Sequence, residues 1–224
     1  MGNPAAALLL LTDGRFPSGG YAHSAGLEPA IRTGRVRDAA DLESFLHGRA
    51  ATTGLTAGAF AAAACAAVVA GDAPRMEVLE TEFDARTPSP ALRRVSRTLG
   101  RQLLRAITGI HPSPLLGRLP AAPHQAIAFG GAAAALDLDP RAAALAALYD
   151  AVTGPATAAV KLLATDPFTV HRILARLTPT LEQLAATAAG YAEAAPRELP
   201  AAGTPLLDIA AEQHSGWEGR LFAS

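Results

Sequence analysis

The chain carries a single cysteine, Cys65, inside "AAAACAAVVA". One cysteine excludes an internal disulfide framework and a cysteine-based zinc site, and its surroundings assign it to packing as a small hydrophobe. Aromatic residues make up only 5% of the chain, and no run alternates valine, isoleucine, threonine or aromatics as a half-buried strand would. Charge of one sign is lacking too. The formal net charge is −1, so nothing draws nucleic acid or an anionic membrane at long range. No uninterrupted apolar stretch reaches the ~20 residues of a membrane span. The opening "MGNPAAALLLLTDGRF" has an apolar run but no basic segment before it, and Asp13 follows at once. It does not read as a secretory signal. Ala6 stands where a myristoylation motif needs serine or threonine. The expected compartment is the cytosol.

What the chain does have is alanine, in a sequence that is 50% hydrophobic over 224 residues. Alanine favours helices and fills little volume, so an alanine-rich core implies closely packed helices. Helix starts are legible. Proline suits the first helical position, and a capping side chain should precede it. Ser89-Pro90, Asp139-Pro140, Asp166-Pro167 and Thr178-Pro179 have that form, and Asp38, Asp41 and Asp72 read as further caps. From Pro90 to Ile110, Leu92, Val95, Leu99, Leu103, Ala106 and Ile110 recur at threes and fours. The spacing predicts helices near 4–12, 21–32, 39–69, 73–86, 90–110, 123–137, 140–153, 155–164, 167–177 and 179–194. The expected fold is all-α: one single-domain helical bundle of about eight to ten helices. Residues 195–224 read as its partner-binding C-terminal tail.

Candidate chemistry is sparse. The stretch "GGYAHSAGLE", Gly19 to Glu28, concentrates glycine, histidine, serine and glutamate. It lacks the Gly-Lys-Ser/Thr ending of a phosphate loop and the spacing of a dinucleotide fingerprint. "AHSAG" is close to a nucleophile elbow, and Asp208 and His214 follow in hydrolase order, yet no strand feeds the turn. None of the six histidines shares a helix face with another at ligand spacing. Arg93, Arg97, Arg101 and Arg105 recur every four residues with no acid on their helix, either a solvated face or a docking surface for an acidic partner. Trp217 and Phe222 sit beside the chain end, either as an interface anchor or docked on the chain's own core.

"LLLLTDGRFPSGGYAHSAGLE" resembles the N-terminal signature of the urease accessory protein UreF family. The matching residues are Thr12, Asp13, Pro17, Gly19, Gly20, Tyr21, His23, Ser24, Gly26, Leu27 and Glu28. "GRQLLR", Gly100 to Arg105, is similar to the family's central helix, and "PHQAIAFGGAAAAL", Pro123 to Leu136, to a helix start. "LDIAAEQHSGWEGRLFAS" resembles its terminus, with His214, Arg220, Leu221, Phe222 and Ser224 in place. After "AAVKLL" the family runs into Pro-Leu-Gly-Gln; here the chain reads "LLATDPFTVHRIL", although Lys161 keeps the basic position upstream.

The resemblance implies an all-α homodimer that is not an enzyme. It implies partners: a UreG-type GTPase, a UreD/UreH-type accessory protein and the urease apoenzyme. No cofactor is expected on this chain, and nickel and GTP are handled by the complex. The residues expected to contact partners are Gly19, Gly20, Tyr21, His23, Ser24, Gly26, Glu28, Arg101, Lys161, His214, Arg220, Leu221, Phe222 and Ser224. Read from the residues, Gly19 and Gly20 are expected to turn the backbone at positive φ. His23 and Glu28 are expected near one helix side, with Ser24 beside Glu28 at i, i+4. The alternative from a different class is an all-α ligand-binding regulator or small helical enzyme, which requires a sizeable apolar pocket with convergent polar groups.

Overall fold

The computed structural model describes residues 4–217 and 221–222. Among these it contains α-helices, short 3-10 turns and no strand. Asp38, Asp72, Ser89, Asp139 and Asp166 each cap a helix, their side chains accepting backbone N–H groups of the first turn. The helices they open are α3 (Ala39–Arg49), α5 (Ala73–Ala85), α6 (Pro90–Ile110), α8 (Pro140–Leu162) and α9 (Pro167–Ala189). The others are α1 (Pro4–Leu11), α2 (Leu27–Arg32), α4 (Leu55–Ala70), α7 (Gln125–Ala135) and α10 (Pro205–Ser215).

Four expectations change. Asp41 is not a cap; it lies inside α3 and accepts the backbone N–H of Arg37 at 3.0 Å. The segments read as 140–153 and 155–164 are one helix with Pro155 inside it. Those read as 167–177 and 179–194 merge in the same way around Pro179, so Thr178 opens nothing. Packing against the core outweighs the hydrogen bond each proline removes. The helix read over 21–32 divides instead into a 3-10 turn, Gly20–Ala22, and α2.

α3 and α4 form one continuous rod, Ala39–Ala70, interrupted by a π turn at Ala50–Gly54. α4 is the centre of the molecule, packed against α5, α7, α8 and α9. Its residues Ala59 to Cys65 are all buried. Contact with α7 is tight because both helices carry small residues. A Cβ built on Gly130 would lie 2.4 Å from the Ala61 carbonyl oxygen. Any side chain there forces the helices apart. Two helices, Ala39–Ala70 and Pro140–Leu162, are long and apolar enough to cross a membrane. They are core helices here, with 67% and 56% of their apolar windows buried against their neighbours. Cys65 is buried, its thiol donating to the Leu138 carbonyl at 3.5 Å, and burial pushes it up to about 12.

Candidate functional site

Two parts of the chain singled out separately in the sequence meet on Glu28. This residue is in the first turn of α2 and is 4% exposed. One carboxylate oxygen accepts the backbone N–H of Leu221 at 3.0 Å. The other accepts the N–H of Phe222 at 3.0 Å and faces His214 Nε2 at 3.3 Å. A buried carboxylate needs such donors, and here all of them come from a segment 186 to 194 residues away. Ser24 is fully buried, and its hydroxyl oxygen accepts the Glu28 N–H at 3.4 Å, the i, i+4 relation read from the sequence.

The backbone around Ser24 is sharply turned. Gly19 has φ 80° and Gly26 φ 89°. Gly20, expected at positive φ, opens the 3-10 turn instead, and Gly26 takes that role. Ala25 is also left-handed, at φ 49°, a strained setting for a residue with a Cβ. The Arg49 guanidinium holds it there by donating to the Ala25 carbonyl at 3.0 Å. His23 is extended and caps the 3-10 turn, so it does not share a helix side with Glu28.

On the other side of the junction, α10 packs against α2 and α6. His214 is fully buried and meets the Trp217 ring edge-on at 5.0 Å. Arg32 lies 4.1 Å over the same indole. Phe222 packs on the hydrophobic core, whereas Leu221 is 72% exposed and Tyr21 is 74% exposed. Of the two readings of the tail, docking on the chain's own core is the one seen for Phe222, while Leu221 beside it points outward. Arg220 and Ser224 lie outside the described residues. Arg101 is exposed on α6 and donates to the Thr98 hydroxyl at 3.1 Å; Lys161 is exposed in the last turn of α8. Neither hydrogen-bonds to the Glu28 junction among the described residues.

The arginine stripe on α6 divides. Arg97 pairs with Glu80 at 3.0 Å and Asp84 at 2.6 Å, both on α5, and Arg93 donates to the carbonyls of Thr87 and Pro88. Arg94, Arg101 and Arg105 remain at least partly exposed. A spacing of four advances ~400° per step, so the row rotates about 40° each time and passes from the α5 side to solvent. The acids that the helix lacks come from its neighbour. They also hold His124, the fully buried residue before α7, whose ring nitrogens face Ser96 Oγ at 3.0 Å and Asp84 at 2.9 Å. Burial, reinforced by the nearby Arg97 charge, pushes His124 down to about 4.

The hydrolase geometry is not assembled. The turn before Ser24 is a 3-10 turn, and His214 Nε2 faces Glu28. Among the described residues no three His, Cys, Asp or Glu side chains converge as metal ligands. Two latches carry no mark in the sequence. Arg86 donates to the carbonyls of Arg197, Leu199 and Pro200 while pairing with Glu82, and Glu212 of α10 accepts from Ser89 and from the Ala91 N–H at 2.8 Å. Nor does the sequence mark a cavity of about 210 Å³ beneath the junction, lined by His23, Arg49, Gln125 and Asp150 but not by Ser24. No local period picks out these residues, because they come from four separate segments.

The sequence pattern of the UreF family matches residues 36–178. That span excludes both halves of the Glu28 junction, but full-length relatives include them. The urease accessory protein UreF of Mycolicibacterium vanbaalenii is 43% identical, covering 98% of each chain. That of Mycobacterium marinum is 42% identical, and that of Mycobacterium tuberculosis strain H37Rv 39%, each again covering 98% of both chains. The chain belongs to the UreF family. In this UreF-family protein, the signature loop and the tail join at the buried Glu28 carboxylate.

Proposed function

We propose that the chain is a non-catalytic scaffold in urease maturation. It bridges a UreG-type GTPase and a UreD/UreH-type accessory protein for GTP-dependent nickel insertion into the urease apoenzyme. It acts as a homodimer in the cytoplasm. Nickel is cargo and GTP the GTPase's substrate, so neither needs a resident site on this chain. The single domain carries residues 195–224 as its partner-binding tail.

The observation that supports this reading is the Glu28 junction. Hydrogen bonds to the buried Glu28 carboxylate fix the tail's backbone while Leu221 and Tyr21 stand in solvent. An apolar side chain held in place loses little further entropy on binding, which is how interface anchors gain affinity. Gly19, Gly20, Tyr21, His23, Ser24, Gly26, Glu28 and His214 serve by shaping or presenting this surface, and Arg220 and Ser224 are further partner contacts. Arg101 and Lys161 supply separate cationic contacts, and Arg101 with the exposed Arg105 of α6, a helix that carries no acid of its own, suits an acidic protein surface.

The experiment is size-exclusion chromatography with light scattering. The chain is run alone and with its two accessory proteins, with and without GTP. A stable complex holding two copies of the chain is expected. Deleting Gly219–Ser224 is expected to abolish binding of the UreD/UreH-type protein and leave the helical circular dichroism unchanged. A folded truncation that binds normally removes the role given to the tail.

A further inference from the structure

The longest rod in the fold, Ala39–Ala70, is irregular at one place, the π turn Ala50–Gly54. Such turns sacrifice helix geometry and recur where a side chain must be re-aimed at a site. Arg49, Thr53 and Thr56 flank or occupy this turn at spacings of four and three, which places them along one face. All three line the cavity of about 210 Å³.

Their hydrogen bonds are incomplete. Arg49 donates from Nε to the Ala151 carbonyl at 2.7 Å and from Nη1 to the Ala25 carbonyl at 3.0 Å. Its Nη2 makes no hydrogen bond among the described residues. Thr56 is 7% exposed, and its hydroxyl has no partner among the described residues, although a helical threonine ordinarily finds the preceding turn. Asp150, the residue before Ala151 on α8, also lines the cavity and accepts Gln125 Nε2 at 3.0 Å. Arg49 and Asp150 attract each other but form no direct ion pair among the described residues. Burial pushes the Asp150 carboxyl up to about 6 and the Arg49 guanidinium down to about 10, as befits charges that lack full compensation. Phe83, Leu92, Val95 and Phe129 supply an apolar wall.

We propose that this cavity binds a small net-neutral molecule, with a hydrogen-bond acceptor for Arg49 and a donor for Asp150. An amide or an amino-acid zwitterion has that form. The wall sets Arg49 and Arg86 against Asp150 and Asp208, so its formal charges already cancel and a ligand with net charge would bring in an uncompensated ion. The Thr56 hydroxyl supplies a third polar contact, and the apolar wall takes the remainder of the molecule. This inference is independent of the scaffold reading and concerns the chain alone.

The test uses the full chain, thermal unfolding and saturation-transfer NMR at neutral pH. The probes are acetamide, alanine, acetate and methylammonium at matched concentrations. Acetamide or alanine is expected to bind with a Kd on the order of millimolar and raise Tm. Acetate and methylammonium are expected not to. Comparing acetamide with alanine separates a neutral dipole from a zwitterion. Thr56→Val removes the orphan hydroxyl at constant shape, and binding is expected to weaken about tenfold. Val95→Phe fills the cavity from α6 without touching a polar group, and binding is expected to disappear. Asp150→Asn is expected to weaken it at least as much as Thr56→Val; if that variant fails to fold, the other two decide. Three results overturn the proposal: no probe binds the unaltered chain, the charged probes bind as well as the neutral ones, or both the Thr56 and Val95 variants bind normally. The first means the cavity holds water only.

Discussion

Glu28 satisfies donors on three other residues at once, and this makes it the residue on which the tail depends. Glu28→Gln keeps the volume but replaces one oxygen by an N–H₂ that cannot accept. The cost expected is about 1–3 kcal/mol, the range for leaving a buried partner unsatisfied. Trp217 is the only tryptophan and touches both His214 and Arg32, so its fluorescence reports the junction directly. The variant is expected to red-shift Trp217 emission and to speed proteolysis of the tail while the helical signal persists. Unchanged emission and proteolysis would mean that the tail is held by α10 packing alone. Serine, glutamate and histidine of the signature were visible in the sequence. The Ser24–Glu28 relation was visible too, but the donors to the Glu28 carboxylate were not, because a carboxylate and its donors 186 or more residues apart leave no periodic trace.

At the scale of the element, caps were legible and continuity was not. Asp139 and Asp166 each accept an N–H three residues on, a contact spelled out by four adjacent residues. Pro179 has the same outward form after Thr178 yet lies mid-helix and exposed. Its missing N–H forfeits the bond to the Ala175 carbonyl, and α9 persists because Ile173, Leu177 and Leu181 are buried on either side. Pro179→Ala restores that bond and loses no packing. It also frees the unfolded chain, which takes back part of the gain. A net stabilisation of about 1–2 kcal/mol is expected, read as a higher urea midpoint with unchanged slope. A lower midpoint would show that the proline relieves strain against α8. The arginine row on α6 teaches the same lesson: a four-residue spacing names the residues, but the neighbouring α5 decides which of them are spent internally.

At the scale of the molecule, two buried groups set opposing pH dependences. His124 titrates near 4 when folded and near 6.5 when unfolded, so the unfolded chain binds more protons between these values and stability rises with pH there. Asp150 titrates near 6 when folded and near 3.8 when unfolded, so its contribution falls as pH rises through that window. Each displacement, taken alone, corresponds to about 3 kcal/mol. Asp150 fronts a cavity that water can enter, so its share is smaller than that of His124. The unaltered chain is expected to change little in urea midpoint between about pH 4 and pH 6.5. Asp150→Asn is expected to steepen the rise with pH, and His124→Gln to turn it into a fall. Parallel profiles for both variants would refute the assignment. The apolar rods α3–α4 and α8 belong to this scale too: composition alone cannot separate a membrane span from a core helix, and burial among neighbours does.

By itself the sequence determined the helical class, the five capped helix starts and the UreF-family signature at each end. Each is encoded in residues close together in the chain, through backbone capping, helical period or a fixed run of residue types. Only the tertiary structure decided that the signature and the tail are one site, that α10 is latched through Glu212 and the segment before it through Arg86, and that Arg49, Thr56, Gln125 and Asp150 face a common cavity. Those outcomes depend on where helices cross. The crossings here are governed by small residues such as Gly130 against Ala61, which let backbones approach to a distance no local pattern specifies.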